Sequence, residues 1–434
     1  MADLPKGYTI QTKKFKKITI LPNPNKPNDP DPKLGEGGQG AVYYVDYDGK
    51  PKALKWYTGK KLKSPQKFYA NLENNIKKGK PTNAFLWPED ITERDGEAFG
   101  YVMDLRPGDY KDFSRFLIGK EGFASITAMV NTALHITAGF RELHNKGYSY
   151  QDLNDGNFFI NPKNGDVLIC DNDNVSESGK SSGIAGKARY MAPEIVAKHT
   201  KPDKYTDRFS LSVVLFLLWT NNHPLEGKAA YPVAMDAKHE KQIYGENPVF
   251  IFDPNDNSNR PVQGLNKGAI TRWPFLPVYL QEEFVKAFSK DLLKNPPNRI
   301  IEQEWLRIFI RMRSEIFKCP CGEVYFADPV NPNPCPECKK TNPFPVYIKT
   351  SRYNLPLHQR TKLYACHTEK DSDDFETPTG EVSAKGKDFE LKNVSSKNWM
   401  VTEGGNTTSL APNAALTLKK GLSINFGNAN AEIL

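Results

Sequence analysis

The hydrophobic pattern of this chain changes period along its length, and the change divides it. Residues 8–20 set Ile, Phe and Thr among lysines, and AVYYVDYDGKPKALKWY then places two runs of β-branched and aromatic residues around Asp48-Gly49, a turn dipeptide, which predicts a hairpin. Between them, LPNPNKPNDPDPK is too rich in proline for a helix or a central strand and reads as a loop. In SPQKFYANLENNIKKG the apolar residues Phe68, Leu72 and Ile76 recur every four positions, Ser64 suits an N-cap and Pro65 a first turn, so a helix is expected. A strand follows around residues 100–105, then a helical pattern from about Ser125 to Asn145, and helices dominate from about Glu194 to Phe317. Strands first and helices later predict an α+β unit. From 346 to 434 the pattern returns to short strand-like runs (KLYAC, FELKNV, NWMV, ALTL, SINF) separated by Gly, Asn and Pro, which predicts a small all-β sandwich. There is no internal repeat and no heptad pattern.

A length of 434 residues accommodates roughly two to four domains. The balance of 59 Lys and Arg against 51 Asp and Glu gives +8, which suits anionic ligands but is too mild over this length to indicate nucleic acid. MADLPKGYTIQTKK lacks the apolar core of a secretory signal, and the longest apolar run, Leu211 to Trp219 with Ser212 inside it, is too short for a bilayer; a cytoplasmic location without membrane attachment is expected. Of six cysteines, Cys319, Cys321, Cys335 and Cys338 cluster while Cys170 and Cys366 stand alone as small buried side chains, a distribution that fits a metal site better than disulfides.

The stretch LGEGGQGAVYYV sets Gly35, Gly37 and Gly40 ahead of Val42, and Lys55 follows in ALKWY, with Glu73 in the expected helix. Downstream, SYQDLNDGNFFI holds Asp152 and Asn157, VLICDND ends a strand with Asp171, and GKARYMAPE closes on Ala192, Pro193 and Glu194. A lone G-x-G-x-x-G is a weak signal, but these elements in this order resemble the protein-kinase superfamily over roughly residues 10–310. The resemblance implies a bilobal fold, with a β-rich lobe over about 1–104 and a helical lobe over about 105–316. It implies ATP and Mg²⁺ or Mn²⁺ as cofactors and a protein substrate. By this likeness the glycines close over the phosphates, Val42, Ala53 and Phe159 enclose the adenine, Met103 is the gatekeeper and Asp104, Leu105 and Arg106 form the hinge. Lys55, held by Glu73, would neutralise the phosphates, Asp152 would be the base, and Asn157 and Asp171 would hold the metal. Asp207 resembles the aspartate that braces the catalytic loop, and Arg299 is placed to pair with Glu194.

Several positions depart from that pattern. Tyr150-Gln151-Asp152 replaces His-Arg-Asp, removing the arginine that clasps a phosphorylated activation segment, and Asp171-Asn172-Asp173 replaces Asp-Phe-Gly. Lys77 falls where an apolar residue is usual, so either that packing column is polar or Glu73 is not the partner of Lys55. Asn154 stands where serine/threonine kinases carry a lysine, and Lys187 where a threonine normally faces it, which suggests an exchanged pair that returns a cation to the site; the alternative is a solvated Lys187. Ser176, Ser178, Ser181 and Ser182 are candidate phosphorylation sites, with Arg189 or Lys187 as partners for a phosphate.

Cys319-x-Cys321 and Cys335-x-x-Cys338 are separated by strand-like EVYF and a proline-rich turn, as a structural Zn²⁺ ribbon over residues 317–345 requires, the first pair being one residue shorter than usual. Within residues 346–434, FELKNVSSKNWMVTEGGNTTSLAPNAALTLKKGLSINFG resembles the second half of a forkhead-associated domain, but in the first half the Gly-Arg and Ser-x-x-His that hold phosphothreonine are absent, so a degenerate protein-binding sandwich is expected. GEGGQGAVY, ALKWY, ICDNDNV and FIFDPNDNSNRP, together with the cysteine ribbon, further resemble bacterial kinases encoded with a von Willebrand A-domain protein and a metal-dependent phosphatase in tellurite-resistance clusters, which implies those two as partners and a role in stress. Retained Lys55, Asp152, Asn157 and Asp171 favour an active serine/threonine kinase, Asn154, Asn172 and Asp173 favour a pseudokinase scaffold, and a small-molecule phosphotransferase fits GKARYMAPE poorly.

Overall fold

The computed structural model describes residues 3–58, 62–180, 186–231, 236–342, 344, 346–386 and 388–434, so Ser181 and Ser182 lie outside the described residues. The chain forms two compact units, one of residues 1–124, 135–276 and 280–302, the other of residues 125–134, 277–279 and 303–434.

In the first unit, strands β1 (Thr9–Gln11), β2 (Lys17–Ile20), β3 (Lys33–Glu36), β4 (Ala41–Tyr47), β5 (Lys50–Tyr57), β6 (Asp90–Ile91) and β7 (Phe99–Met103) form one sheet in the order β1-β2-β4-β5-β7-β6, with β3 on β4. The proline-rich stretch before β3 contains no strand. Along β4, Ala41, Tyr43, Val45 and Tyr47 alternate into the core, and the expected hairpin turns at Asp48 and Gly49, both at positive φ (54° and 78°). Helix α1 (Pro65–Lys78) follows with proline at its first turn, but the Ser64 hydroxyl makes no capping bond, contrary to expectation. Its Phe68 and Leu72 are buried with Tyr57 and Phe99, the Tyr57 and Phe68 rings meeting edge-on at 5.2 Å.

The chain continues through β8 (Lys111–Asp112), α2 (Phe113–Leu117), α3 (Ile126–Asn145), β9 (Tyr148–Ser149), β10 (Phe158–Ile160), β11 (Val167–Ile169) and β12 (Ser176–Glu177). Helices α4 (Pro193–Val196), α5 (Lys204–Thr220), α6 (Ala237–Glu240), α7 (Lys267–Arg272), α8 (Val278–Ala287), α9 (Lys290–Lys294) and α10 (Glu302–Ser314) come next. Helix α5 is buried along most of its length, as its run of Val, Leu and Phe dictates, and a capping box between Asp203 and Thr206 starts it. Two-pronged bonds of 2.8 and 2.7 Å join Arg299 to Glu194, as expected.

The second unit holds the hairpin β13 (Ile316–Lys318) and β14 (Val324–Phe326). Beyond it lie β15 (Tyr347–Thr350), β16 (Asn354–Pro356), β17 (Lys362–Tyr364), helix α11 (Ala365–Thr368), β18 (Pro378–Lys385), β19 (Asp388–Asn393), β20 (Trp399–Glu403), β21 (Asn406–Leu410), β22 (Ala415–Thr417), β23 (Ser423–Asn425) and β24 (Asn430–Ile433). They make a sheet of order β16-β15-β24-β23-β20-β21 and another of order β17-β18-β19-β22. The sheets meet face to face: a Cβ at Gly380 of β18 would lie 3.1 Å from the Trp399 indole of β20. The five runs read from the sequence are β17, β19, β20, β22 and β23; β15, β16, β18, β21 and β24 escape that reading because their apolar residues are few. Asn393 is buried and its amide donates to Lys397 O and Leu410 O, tying the loop before β20 to the end of β21. Arg313 of α10 lies 4.1 Å over the Tyr364 ring and donates to Phe375 O, which groups residues 303–316 with this unit.

Candidate active site

Strand β5 carries Lys55 inward, opposite Val42 of β4 and Tyr101 of β7. Before β4 the glycine stretch folds back, Gly37 N donating to Gly40 O at 2.9 Å. A Cβ at Gly40 would sit 2.3 Å from Trp56 O, so only glycine lets this turn close on β5. From the other side a Cβ at Gly100 would sit 2.7 Å from Lys55 O, a constraint the sequence reading missed. At Gly35 a Cβ would meet nothing within 4 Å, which leaves that side of the loop open to a ligand. Val42, Ala53, Met103 and Leu105 gather in one apolar cluster with Leu168 and Cys170, which the sequence reading did not assign to the nucleotide pocket although both lie just ahead of Asp171. Phe159 lies under the Arg106 guanidinium at 4.1 Å, and Asp104 accepts from Lys52.

Lys55 Nζ lies 3.0 Å from Asp171 Oδ1 and 2.9 and 3.1 Å from the two oxygens of Asp173. Burial opposes its charge, but Asp173 first and Asp171 after it hold its pKa well above the ordinary value. The expected Glu73 partner is not there. Glu73 pairs instead with Lys13, whose ammonium also sits 5.2 Å over the Tyr69 ring. Successive residues turn by ~100° on a helix, so Glu73 lies about 200° from Asn75 of the buried face. Lys77 is exposed, and the inner column is polar: Asn75 donates to Val175 O at 2.8 Å, and fully buried Asn172 donates to Leu86 O and Ile169 O at 2.8 and 2.9 Å. Both alternatives left by Lys77 therefore hold.

The loop after β9 is braced by Asp207, which accepts from Tyr150 N at 2.6 Å and Gln151 N at 3.1 Å. Tyr150 Oη donates to Cys170 O. Asn157 spends its amide nitrogen on Asp152 O at 2.7 Å, so its oxygen is the atom left for a cation. Asn154 Nδ2 donates to Asp152 Oδ1 at 3.2 Å while its Oδ1 accepts from Gly156 N at 3.1 Å and from Lys187 Nζ at 3.0 Å. A single amide thus joins the Lys187 ammonium to the Asp152 carboxylate. Burial, with the charge of Asp171 behind it, raises the Asp152 pKa to about 6.

Gln151, at positive φ (71°), donates to Ser176 Oγ and Lys180 O, docking this segment through neutral hydrogen bonds. Ser176 is buried and donates to Lys180 O, which removes it as a modification site, whereas Ser178 is exposed. Arg189 is already bound in fork geometry to Glu226 at 2.5 and 3.0 Å, so it is not available to a phosphate there.

Hard oxygen donors at Asp171 and Asn157, an ammonium beside them and an open glycine loop suit a divalent cation with a triphosphate. The cysteines suit a different ion. Cys319 Sγ lies 3.7 Å from Cys338 Sγ, Cys321 Sγ 3.7 Å from Cys335 Sγ, and all four sulfurs lie within 4.8 Å of one another. Tetrahedral thiolates around zinc at ~2.3 Å stand about 3.8 Å apart, which fits. Asn342 Nδ2 donates to Cys319 Sγ at 3.3 Å.

Residues 29–306 match the family model described as the protein kinase domain, and the chain belongs to the protein kinase family. It is 27% identical over 302 residues to beta-adrenergic receptor kinase 1 of Mesocricetus auratus, covering 68% of this chain and 41% of that one. It is 22% identical over 253 residues to a probable serine/threonine-protein kinase PknB of Corynebacterium glutamicum, covering 56% and 38%. The chain thus spans about two fifths of the length of these curated relatives. Among solved structures, a double mutant of the PknI kinase domain of Mycobacterium tuberculosis aligns over 70% of this chain and 96% of its own, with a TM-score of 0.45 and 17% identity.

Proposed function

We propose that this chain is an ATP- and Mg²⁺-dependent serine/threonine protein kinase. The carrying observation is the convergence of three segments: Lys55 and Asp171 lie 3.0 Å apart, and the Asp152–Asn157 loop comes close enough for the Asp171 charge to act on Asp152. ATP supplies the transferable phosphoryl group, and Mg²⁺ neutralises charge on its oxygens. Asp171 and Asn157 would hold the cation, the backbone N–H groups around Gly35 and Gly37 would cradle the phosphates, and Val42, Ala53, Met103 and Leu105 would enclose the base. Asp152 orients the acceptor hydroxyl and takes its proton. Lys187, through Asn154, returns a positive charge to the place where related kinases carry a lysine, so the exchanged pair does the work of the usual one.

The four-cysteine cluster is read as a structural zinc site, since no coordination position stays open for chemistry. The two-sheet region is read as a forkhead-like module without the phosphothreonine residues, recruiting protein partners; a partner phosphatase and a von Willebrand A-domain protein follow from the family likeness. A cytoplasmic location is consistent with the described residues, among which no helix is long and apolar enough to cross a membrane.

One observation favours a second reading, a nucleotide-holding scaffold: Lys55 occupies Asp171, the carboxylate a cation needs. Labelled ATP with Mg²⁺ or Mn²⁺ distinguishes the two. Phosphate incorporation by the wild type and none by Asp152→Ala is expected. Equal signals, or none from either with several protein acceptors supplied, would establish the scaffold.

A further inference from the structure

We infer that Asp173, and not an acid on helix α1, is the residue that positions Lys55 for catalysis. This rests on the kinase reading and adds to it a positioning residue two places beyond the metal carboxylate. Asp173 is fully buried and offers both oxygens to Lys55 Nζ, at 2.9 and 3.1 Å, while Tyr57 Oη donates to one of them. Tyr57 and Lys55 are two residues apart on β5 and therefore share a face, so strand geometry alone brings both donors to one carboxylate. Helix α1 cannot compete. Its single acid, Glu73, faces outward to Lys13, and its inner face presents Phe68, Leu72 and the amides of Asn71 and Asn75, which donate to Val175 O at 2.7 and 2.8 Å. The helix is tied to the metal loop by amides, and the carboxylate has moved onto the loop itself.

The move divides labour between two aspartates. The Asp171 side chain is 44% exposed and that of Asp173 is 0% exposed. Lys55 touches both, at 3.0 Å to Asp171 and 2.9 Å to Asp173, so an ammonium anchored by the buried carboxylate can keep its place when the exposed one turns to a cation. Lys55 then keeps its place without any inward swing of α1.

The test compares Asp173→Asn with Glu73→Gln in the full chain by three measurements: phosphate transfer to casein, the rate at which an amine-reactive reagent labels Lys55 at pH 8 (read by mass spectrometry), and thermal melting. Asp173→Asn is expected to lower kcat by ~10²-fold, the scale for removing a preorganised charged group. It should also speed labelling of Lys55, while Glu73→Gln changes neither beyond twofold. Wild-type kcat and wild-type labelling in Asp173→Asn would overturn the assignment, as would faster labelling in Glu73→Gln. A fall in melting temperature with labelling unchanged would make Asp173 merely structural and overturn it too. If Asp173→Asn does not fold, Tyr57→Phe, which removes the hydroxyl that holds the Asp173 carboxylate, is measured in its place; faster labelling of Lys55 with lowered transfer supports the assignment, and wild-type labelling with wild-type transfer refutes it. Should the wild type transfer no phosphate to casein or to several other protein acceptors, the kinase reading fails and the labelling comparison alone decides the role of Asp173.

Discussion

Burial and the neighbouring Asp171 carboxylate raise the Asp152 pKa to about 6, and Lys187 and Asn154 pull against that rise. A protonated Asp152 cannot accept the hydroxyl proton, so kcat/KM should climb with pH to a plateau above about 6. Lys187→Ala removes a lowering influence and should move this limb to higher pH while cutting activity; full activity with an unmoved limb would mean that Lys187 is only solvated. A second titration concerns stability. Burial disfavours a charged His144, but hydrogen bonds to Asp207 (3.1 Å) and Glu302 (2.8 Å) outweigh it and raise its pKa from 6.5 to about 9. The folded value is the higher one, so this contribution is complete below pH 6.5 and fades as pH rises through about 9. Melting temperatures should decline across that window in the wild type and not in His144→Gln, and a wild-type profile flat through pH 9 would contradict it. Individual residues were unevenly legible. Lys55, Asp152, Asn157 and Asp171 could be read because each sits in a short local motif. Glu73 could have been rejected, since Phe68 and Leu72 already marked the inner stripe of α1 and Glu73 stands off it, whereas the capture of Lys55 by Asp173 depends on a meeting of distant segments that no spacing encodes.

At the scale of elements, the hairpin of β13 and β14 packs on only a small buried cluster, Cys319, Tyr325, Ala327 and Cys335, so a metal held by its cysteines would supply much of its stability. Purified protein should carry about one zinc per chain, and a strong chelator should release it with loss of amide protection over Phe317–Phe326. Cys335→Ser should do the same; full protection without metal would remove the zinc assignment. Strands with alternating bulky residues, such as β4, and the turn at Asp48-Gly49 announced themselves in the sequence. Strand β18, PTGEVSAK, did not, because its packing is made by the absence of a side chain at Gly380, where Trp399 of the opposite sheet closes in. Ser64 illustrates the opposite error: a residue type suited to capping that makes no cap bond.

Across the whole molecule, the order of motifs was enough to give the family, which the match over residues 29–306 establishes. The C-terminal region was legible as cysteine spacing and as half of its strands, since zinc ligands leave a mark in spacing and weakly apolar strands leave little. A net charge of +8 over 434 residues names no partner, and the acceptor protein leaves no trace that charge or periodicity can reveal.

The strand that bears Lys55 is gripped from both edges by Gly40 and Gly100, each abutting a backbone oxygen where a methyl group would fit only by displacing it. The codons for these two glycines should therefore accept silent changes and reject every missense one, even alanine. In a saturation library selected for phosphotransfer they would stand out as blanks, recording how finely the height of one lysine is gauged by two missing side chains.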